Sequence, residues 1–141
     1  MPTYHFSQDP ARMQLDVIHG YLQRSYWCPN IRRDVVETAL HNSMVVGAFE
    51  AESGQQVAYA RLITDRATFA YLCDVFVLEE HRGHKLSQQM LEQLFVHPEL
   101  QTLRRWCLAT WNAQPLYAKL GFEPVPADRW MHLKPPEERW Q

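Results

Sequence analysis

Long apolar runs, glycine-rich loops and an excess of charge of either sign are all missing from this chain of 141 residues. No stretch approaches ~18 consecutive apolar residues, and Met1-Pro-Thr-Tyr-His5 lacks the charged and apolar parts of a signal peptide. The expected location is therefore the cytoplasm, with no membrane partner. A net charge of −2 gives no electrostatic ground for nucleic acid as a partner. The five glycines form no Walker loop and no dinucleotide fingerprint, and no serine-hydrolase elbow is present. Three cysteines, Cys28, Cys73 and Cys107, make no Cys-x-x-Cys pair. Two of them lie in apolar runs, which points to buried reduced thiols rather than disulfides. Cys28 has no partner pattern for a nucleophile. His81 and His84, with His97, lack further placed ligands, so no metal is expected.

What is present is enough apolar and aromatic residue, 46% and 12%, to fill the core of one ordinary domain spanning 1–141. Its most informative stretch runs from Tyr71 to Ser87. An apolar run of strand length ends in an Arg82-Gly83 turn. A helical pattern follows, with Leu86, Met90, Leu91, Leu94 and Phe95 on one stripe. A strand feeding a helix through a short basic turn aims unpaired backbone N–H groups at one point. That point attracts phosphate, because the free donors and the helix dipole both favour an anion.

The rest of the chain reads in order. Residues 3–6 form a short strand, and Asp9-Pro10 starts a helix carrying Val17, Ile18, Tyr21 and Leu22 that stops near Ser25. Ser25–Asn30 is a loop holding two adjacent aromatics, Tyr26 and Trp27. A second helix from about Arg32 faces inward with Val35, Val36, Ala39 and Leu40. Strands follow at Met44–Glu50, Gln56–Thr64 and Phe69–Leu78. Along Gln56–Thr64, Val57, Tyr59, Arg61 and Ile63 fall on one face, and Ala58, Ala60 and Leu62 on the other. The remaining expected elements are a strand at Arg104–Ala109, a helix at about Ala113–Leu120 ended by Gly121, and a final strand pair split near Pro126–Asp128. Lys134–Gln141 reads as a tail.

Two segments carry a resemblance. Val77-Leu-Glu-Glu-His-Arg-Gly-His-Lys-Leu-Ser87 resembles the acyl-CoA signature of the GNAT N-acetyltransferase superfamily, and Asn112-Ala-Gln-Pro-Leu-Tyr-Ala-Lys-Leu-Gly-Phe122 resembles its Leu-Tyr-x-Lys-x-Gly-Phe segment. They stand in the family's order, with the Arg104–Ala109 strand between them, and the likeness covers about residues 43–133. It implies an α/β (α+β) fold: a mixed, mainly antiparallel sheet of six to seven strands flanked by about four helices. It also implies acetyl-CoA as acyl donor and a homodimer as a common assembly. Phe69–Ala109 should be a parallel crossover unit.

The resemblance assigns the pyrophosphate to Arg82, Gly83, His84, Lys85, Leu86 and Ser87, and an oxyanion-stabilising backbone N–H to Phe76 or Val77. It gives Tyr117 the role of acid toward the leaving thiolate and sets Asn112 beside the cofactor. The chain departs from the pattern at Lys85, where glycine is usual, and at Ser87, where Gly or Ala is usual. Inside the first helical turn Lys85 would have negative φ and fit, its ammonium adding attraction for phosphate. The acceptor is expected to be a primary amine of a small molecule. A protein or peptide terminus, or an acyl-CoA sensor without turnover, are the other readings.

Asp74 stands out because a carboxylate in mid-strand must be solvated, paired or protonated. With a four-residue connection at 65–68, Tyr59 would lie directly across from it. Either Asp74 and Tyr59 line the acceptor pocket, with Asp74 binding the ammonium or relaying its proton, or Asp74 is ion-paired to Arg61. Tyr26, Trp27 and Phe69 offer an aromatic wall for a cationic amine, or ordinary core packing.

Overall fold

The computed structural model describes residues 1–141. Five strands, β1 (Tyr4–Ser7), β2 (Met44–Glu50), β3 (Gln56–Thr64), β4 (Phe69–Val77) and β5 (Arg105–Leu108), form one sheet in that order. All neighbours are antiparallel except β4 and β5, which are parallel. Four helices accompany them: α1 (Leu15–Leu22), α2 (Arg33–His41), α3 (Leu86–Phe95) and α4 (Gln114–Lys119). No helix is long and apolar enough to cross a membrane.

The mixed, mainly antiparallel architecture is the one expected, but the sheet has five strands rather than six to seven. The strand pair expected after Gly121 does not form. Residues 122–141 hold only two 3-10 turns, Ala127–Arg129 and Glu137–Arg139. Pro124, Pro126, Pro135 and Pro136 remove ladder donors along this stretch, which leaves β5 as the sheet edge.

The first helix is also interrupted. Asp9 caps as expected, its carboxylate accepting from Ala11 N–H at 2.9 Å, yet the turn it caps is 3-10 and ends at Arg12. A long-range clasp sets the break. Gln14 N–H donates to Gln56 Oε1 at 2.7 Å, and Gln56 N–H donates to Gln14 Oε1 at 2.9 Å. Only after this clasp does α1 begin.

The sheet separates two cores. Leu86, Met90, Leu91 and Leu94 of α3 pack on Val46, Ala58, Ala60, Leu62 and Leu72, with Tyr117 of α4 in the same cluster. On the other face Ile18 and Leu22 of α1 and Val36 and Leu40 of α2 pack on Val45, Tyr59 and Phe76. The alternation along β3 is as read, except that Val57 joins the α3 side, where the β2–β3 register shifts.

The β3–β4 register departs from expectation twice. Asp65 Oδ1 accepts from the N–H groups of Ala67, Thr68 and Phe69, and this turn holds Phe69 out of the ladder, so Thr64 faces Ala70. Further on, the pairing steps from Arg61–Cys73 to Tyr59–Phe76, which makes Asp74 part of a bulge with φ +54°. Tyr59 therefore lies across from Phe76, not Asp74.

Candidate functional site

The parallel ladder between β4 and β5 ends at Leu72–Leu108. Beyond it the strands part, and the remainder of β4, Cys73–Val77, has an open edge. The bulge at Asp74 bends β4 just where the parting begins. Leu78 N–H donates to Val57 C=O at 2.8 Å. By antiparallel alternation Phe76 then turns its N–H to β3, and Val77 turns its own to the open edge. Val77 C=O faces the same way and accepts from Arg82 Nε at 3.3 Å. Of the two expected oxyanion donors, Val77 is the one left free.

At the end of β4 the chain makes a 3-10 turn, Glu79–His81, and then the basic turn. Gly83 (φ +87°) and Lys85 (φ +58°) are both left-handed, and Lys85 is the N-cap of α3 with no side-chain cap bond. This corrects the expected negative φ. Lys85 sits before the first helical turn, in the backbone state that makes glycine usual there, and holds it at a cost of about 1–2 kcal/mol. The first N–H groups of α3, at Leu86, Ser87 and Gln88, are left as free donors. His84 faces elsewhere: its ring lies 5.6 Å from that of Tyr4, whose hydroxyl meets His81 Nδ1 at 2.9 Å.

A cleft of about 1450 Å³ joins these parts. Its walls include Asp74 to Val77, Arg82, Gly83, Lys85 to Ser87, Asn112 and Tyr117, together with Tyr26 and Trp27. This volume exceeds what a drug-sized ligand needs, roughly 300–1,000 Å³, so the cleft has room for more than one such molecule. Tyr59 and Phe69 are outside the walls. Tyr59 is buried against Phe76 in the second core, and Phe69 begins β4 at the far end, paired with Arg105.

Tyr117, on α4, is buried against the first core and lines the cleft. Its helix closes at Gly121 (φ +100°), and Phe122 N–H returns to Tyr117 C=O at 3.1 Å. The Tyr117 pKa is raised, first by burial and then by the nearby Tyr26. The phenol is therefore held as a proton donor.

Asp74 is fully engaged. Oδ2 accepts from Arg61 Nε at 2.7 Å and Oδ1 from Trp27 Nε1 at 3.1 Å. Arg61 also donates to Ser43 Oγ at 3.0 Å. Burial opposes the charge on Arg61, but Asp74, Cys73 and Tyr59 outweigh it and raise its pKa. The pair reading of Asp74 is thus the geometry found, and the pair fastens the Tyr26–Trp27 loop to β4. Phe69's expected place in the aromatic wall is taken by Trp111, which stacks on Tyr26 at 4.4 Å and 10°. The sequence held a signal for it, a large aromatic directly before Asn112. For Arg24, Lys134 and Glu137, which also line the cleft and were not anticipated, there was none.

The profile of the GNAT acetyltransferase domain matches residues 41–124. The chain belongs to the GNAT acetyltransferase family.

Its likeness extends to a Gibberella zeae protein described as an acetyltransferase, 32% identical over 137 residues, covering 82% of this chain and 76% of that one. A GNAT-family protein of Xanthomonas campestris pv. campestris superposes with a TM-score of 0.90 at 42% identity, covering 97% and 96% of the two chains. A Clostridium acetobutylicum protein solved with acetyl-CoA shares the fold at a TM-score of 0.65, 19% identity and coverage of 95% and 96%. GNAT enzymes use acetyl-CoA. In this chain the open β4 edge and the uncapped N-terminus of α3 both line the cleft.

Proposed function

We propose that this GNAT acetyltransferase moves an acetyl group from acetyl-CoA to a primary amine of a small molecule, by direct attack with both substrates bound. The observation that carries the reading is the parting of β4 from β5. It opens a cleft lined by the uncapped donors of α3, by the aromatic rings of Tyr26 and Trp27, and by Tyr117.

Bound acetyl-CoA supplies an acyl carbonyl activated as a thioester. Val77 N–H is fixed by the β4–β3 ladder, so it can donate to the acyl oxygen as negative charge grows there without reorganising. The C–N bond forms as the C–S bond breaks, and Tyr117 gives its proton to the departing sulfur. The amine loses its proton to water, and the Tyr117 phenolate takes one back from solvent, which restores the acid. Asp74 is tied to Arg61 and Trp27, so its part is to position the Tyr26–Trp27 loop. The turn from Arg82 to Ser87 holds the pyrophosphate through backbone N–H groups.

The aromatic clasp of Tyr26 on Trp111 narrows the acceptor end, which favours a small molecule over a protein terminus. Lys85 already adopts the left-handed state of the family's glycine, which favours turnover over a disabled sensor. Three free thiols suit a cytoplasmic enzyme. The partners we assign are the small amine and, in an assembly, a second copy, not nucleic acid or membrane.

The test is calorimetric titration with acetyl-CoA, using dephospho-CoA and ATP as controls, alongside free-thiol release over an amine panel. Micromolar binding with amine-dependent release is expected. Absence of acetyl-CoA binding would sink the proposal.

A further inference from the structure

Lys134–Gln141 is not a loose end. Arg32 N–H donates to Trp140 C=O at 2.9 Å, Arg32 Nη1 to Arg139 C=O at 3.0 Å, and Gln141 Nε2 to Pro29 C=O at 3.1 Å. Trp140 packs against the α1–α2 core. These anchors all fall on residues 29–32, beside the Tyr26–Trp27 loop, and none falls on the 82–87 turn. The strap therefore borders the acceptor end of the cleft and presents Lys134 and Glu137 into it.

The charges at that end can be counted by partner. Asp74 is answered by Arg61. The other ion pairs are Arg32–Asp34, Arg33–Asp16 and Arg66–Glu99, so Arg24, Lys134 and Glu137 line the cleft without an ionic partner. The Glu137 carboxylate accepts only from the side-chain amide of Gln141, at 3.3 Å. Glu79, Glu80, Arg82 and Lys85 also line the cleft, on the turn that follows β4, and Arg82 Nη2 donates to Tyr21 Oη at 3.3 Å, beside Trp27. Around the strap itself, Arg24 and Lys134 are two free cations against the one free carboxylate of Glu137, a balance that favours an acceptor carrying an acidic group beside its ammonium.

We infer that the acceptor is an amine that also bears an acidic group, a carboxylate or a phosphate, and that Arg24 and the strap residue Lys134 receive that group. The inference rests on the acetyl-transfer reading above. Glu137, set beside them, repels the acid from its own side and so fixes which way the acceptor lies. The aromatic faces of Tyr26 and Trp27 take the body of the molecule.

The experiment compares probe pairs that differ only in the acid: phenylalanine with phenethylamine, β-alanine with ethylamine, and phosphoethanolamine with ethanolamine. Thiol release from acetyl-CoA is followed with the full chain and with Lys134→Glu and Arg24→Gln. Both substituted side chains are exposed, so folding is not at risk. We expect the acid-bearing member of at least one pair to lead by about tenfold or more in kcat/KM, since a site with placed donors discriminates against analogues lacking the acceptor group. Which pair leads separates carboxylate from phosphate. Each substitution should cut that lead at least fivefold through KM, with acetyl-CoA affinity within twofold by calorimetry. A lead for the plain amines, a lead that survives Lys134→Glu, or no acetylation of either kind while acetyl-CoA still binds overturns the inference. Failure to bind acetyl-CoA would instead remove the reading beneath it.

Discussion

At the scale of single residues, Tyr117 and Lys85 make opposite demands on the chemistry. Tyr117 is buried, and its raised pKa keeps the proton on the phenol. Tyr117→Phe removes the proton donor and little else. It should lower kcat by about 10²–10⁴-fold, the range for a general acid, with acetyl-CoA affinity unchanged. Thiol-release kinetics and calorimetry together check this. An unchanged kcat would leave the thiolate to water. Lys85 is instead a backbone matter. Lys85→Gly relieves a left-handed conformation costing about 1–2 kcal/mol while adding chain entropy of up to about 1 kcal/mol to the unfolded state. Acetyl-CoA affinity should be kept or gained, and urea-melting stability should stay level or rise slightly. A tenfold weaker affinity would mean that the ammonium, not the backbone, holds the phosphates.

At the scale of elements, the bulged strand β4 organises the site. Its bulge bends the strand away from β5, shifts the register against β3, and turns Asp74 toward Arg61 and Trp27. Both partners of this pair are mostly buried, with side chains 16% and 11% exposed. Asp74→Ala strands the guanidinium and places alanine at φ +54°, so it should destabilise the fold by about 3–5 kcal/mol. Asp74→Asn keeps a residue that tolerates the left-handed state and should cost less. Urea denaturation of the two variants checks the order, and equal losses would show that the lost charge dominates and that neither the amide's hydrogen bonds nor its tolerance of the left-handed state matters. The sequence announced the strand and the odd carboxylate within it, yet gave the register wrongly. Register depends on whether Phe69 N–H enters the ladder or binds Asp65, and on one extra residue at Asp74, and neither leaves a periodic trace.

For the whole molecule, the sheet with α1 and α2 on one face and α3 on the other leaves Cys73 half-buried on β4, at the wall of the cleft. Burial first, and the neighbouring Asp74 next, push its thiol up to about 12. A group whose folded pKa is raised stabilises the fold fully below the unfolded value, near 9, and loses that contribution as pH rises toward 12. Stability should therefore decline between pH 9 and 12 with a slope approaching 1.4 kcal/mol per pH unit for this one site. Urea melts across that range measure it, and Cys73→Ala should flatten the decline. A slope unaltered by the substitution would assign the alkaline loss to other groups.

Local pattern alone settled the elements with strong periodicity: β2 and β3 at their full extents, α3 with its apolar stripe, and the basic turn between β4 and α3. It also settled the family-like Tyr117 segment. These are properties of neighbours along the chain, where side-chain spacing and turn chemistry act directly. Tertiary structure decided the rest. The Gln14–Gln56 clasp broke the first helix, and the proline-bearing C-terminal stretch left the sheet at five strands. Of the two readings of Asp74 the pair with Arg61 formed, Trp111 replaced Phe69 against Tyr26, and Lys134 and Glu137 of the last eight residues came to line the cleft. Each of these joins residues distant in sequence. Their energies lie in contacts that exist only once the chain has closed on itself, and so no local pattern records them.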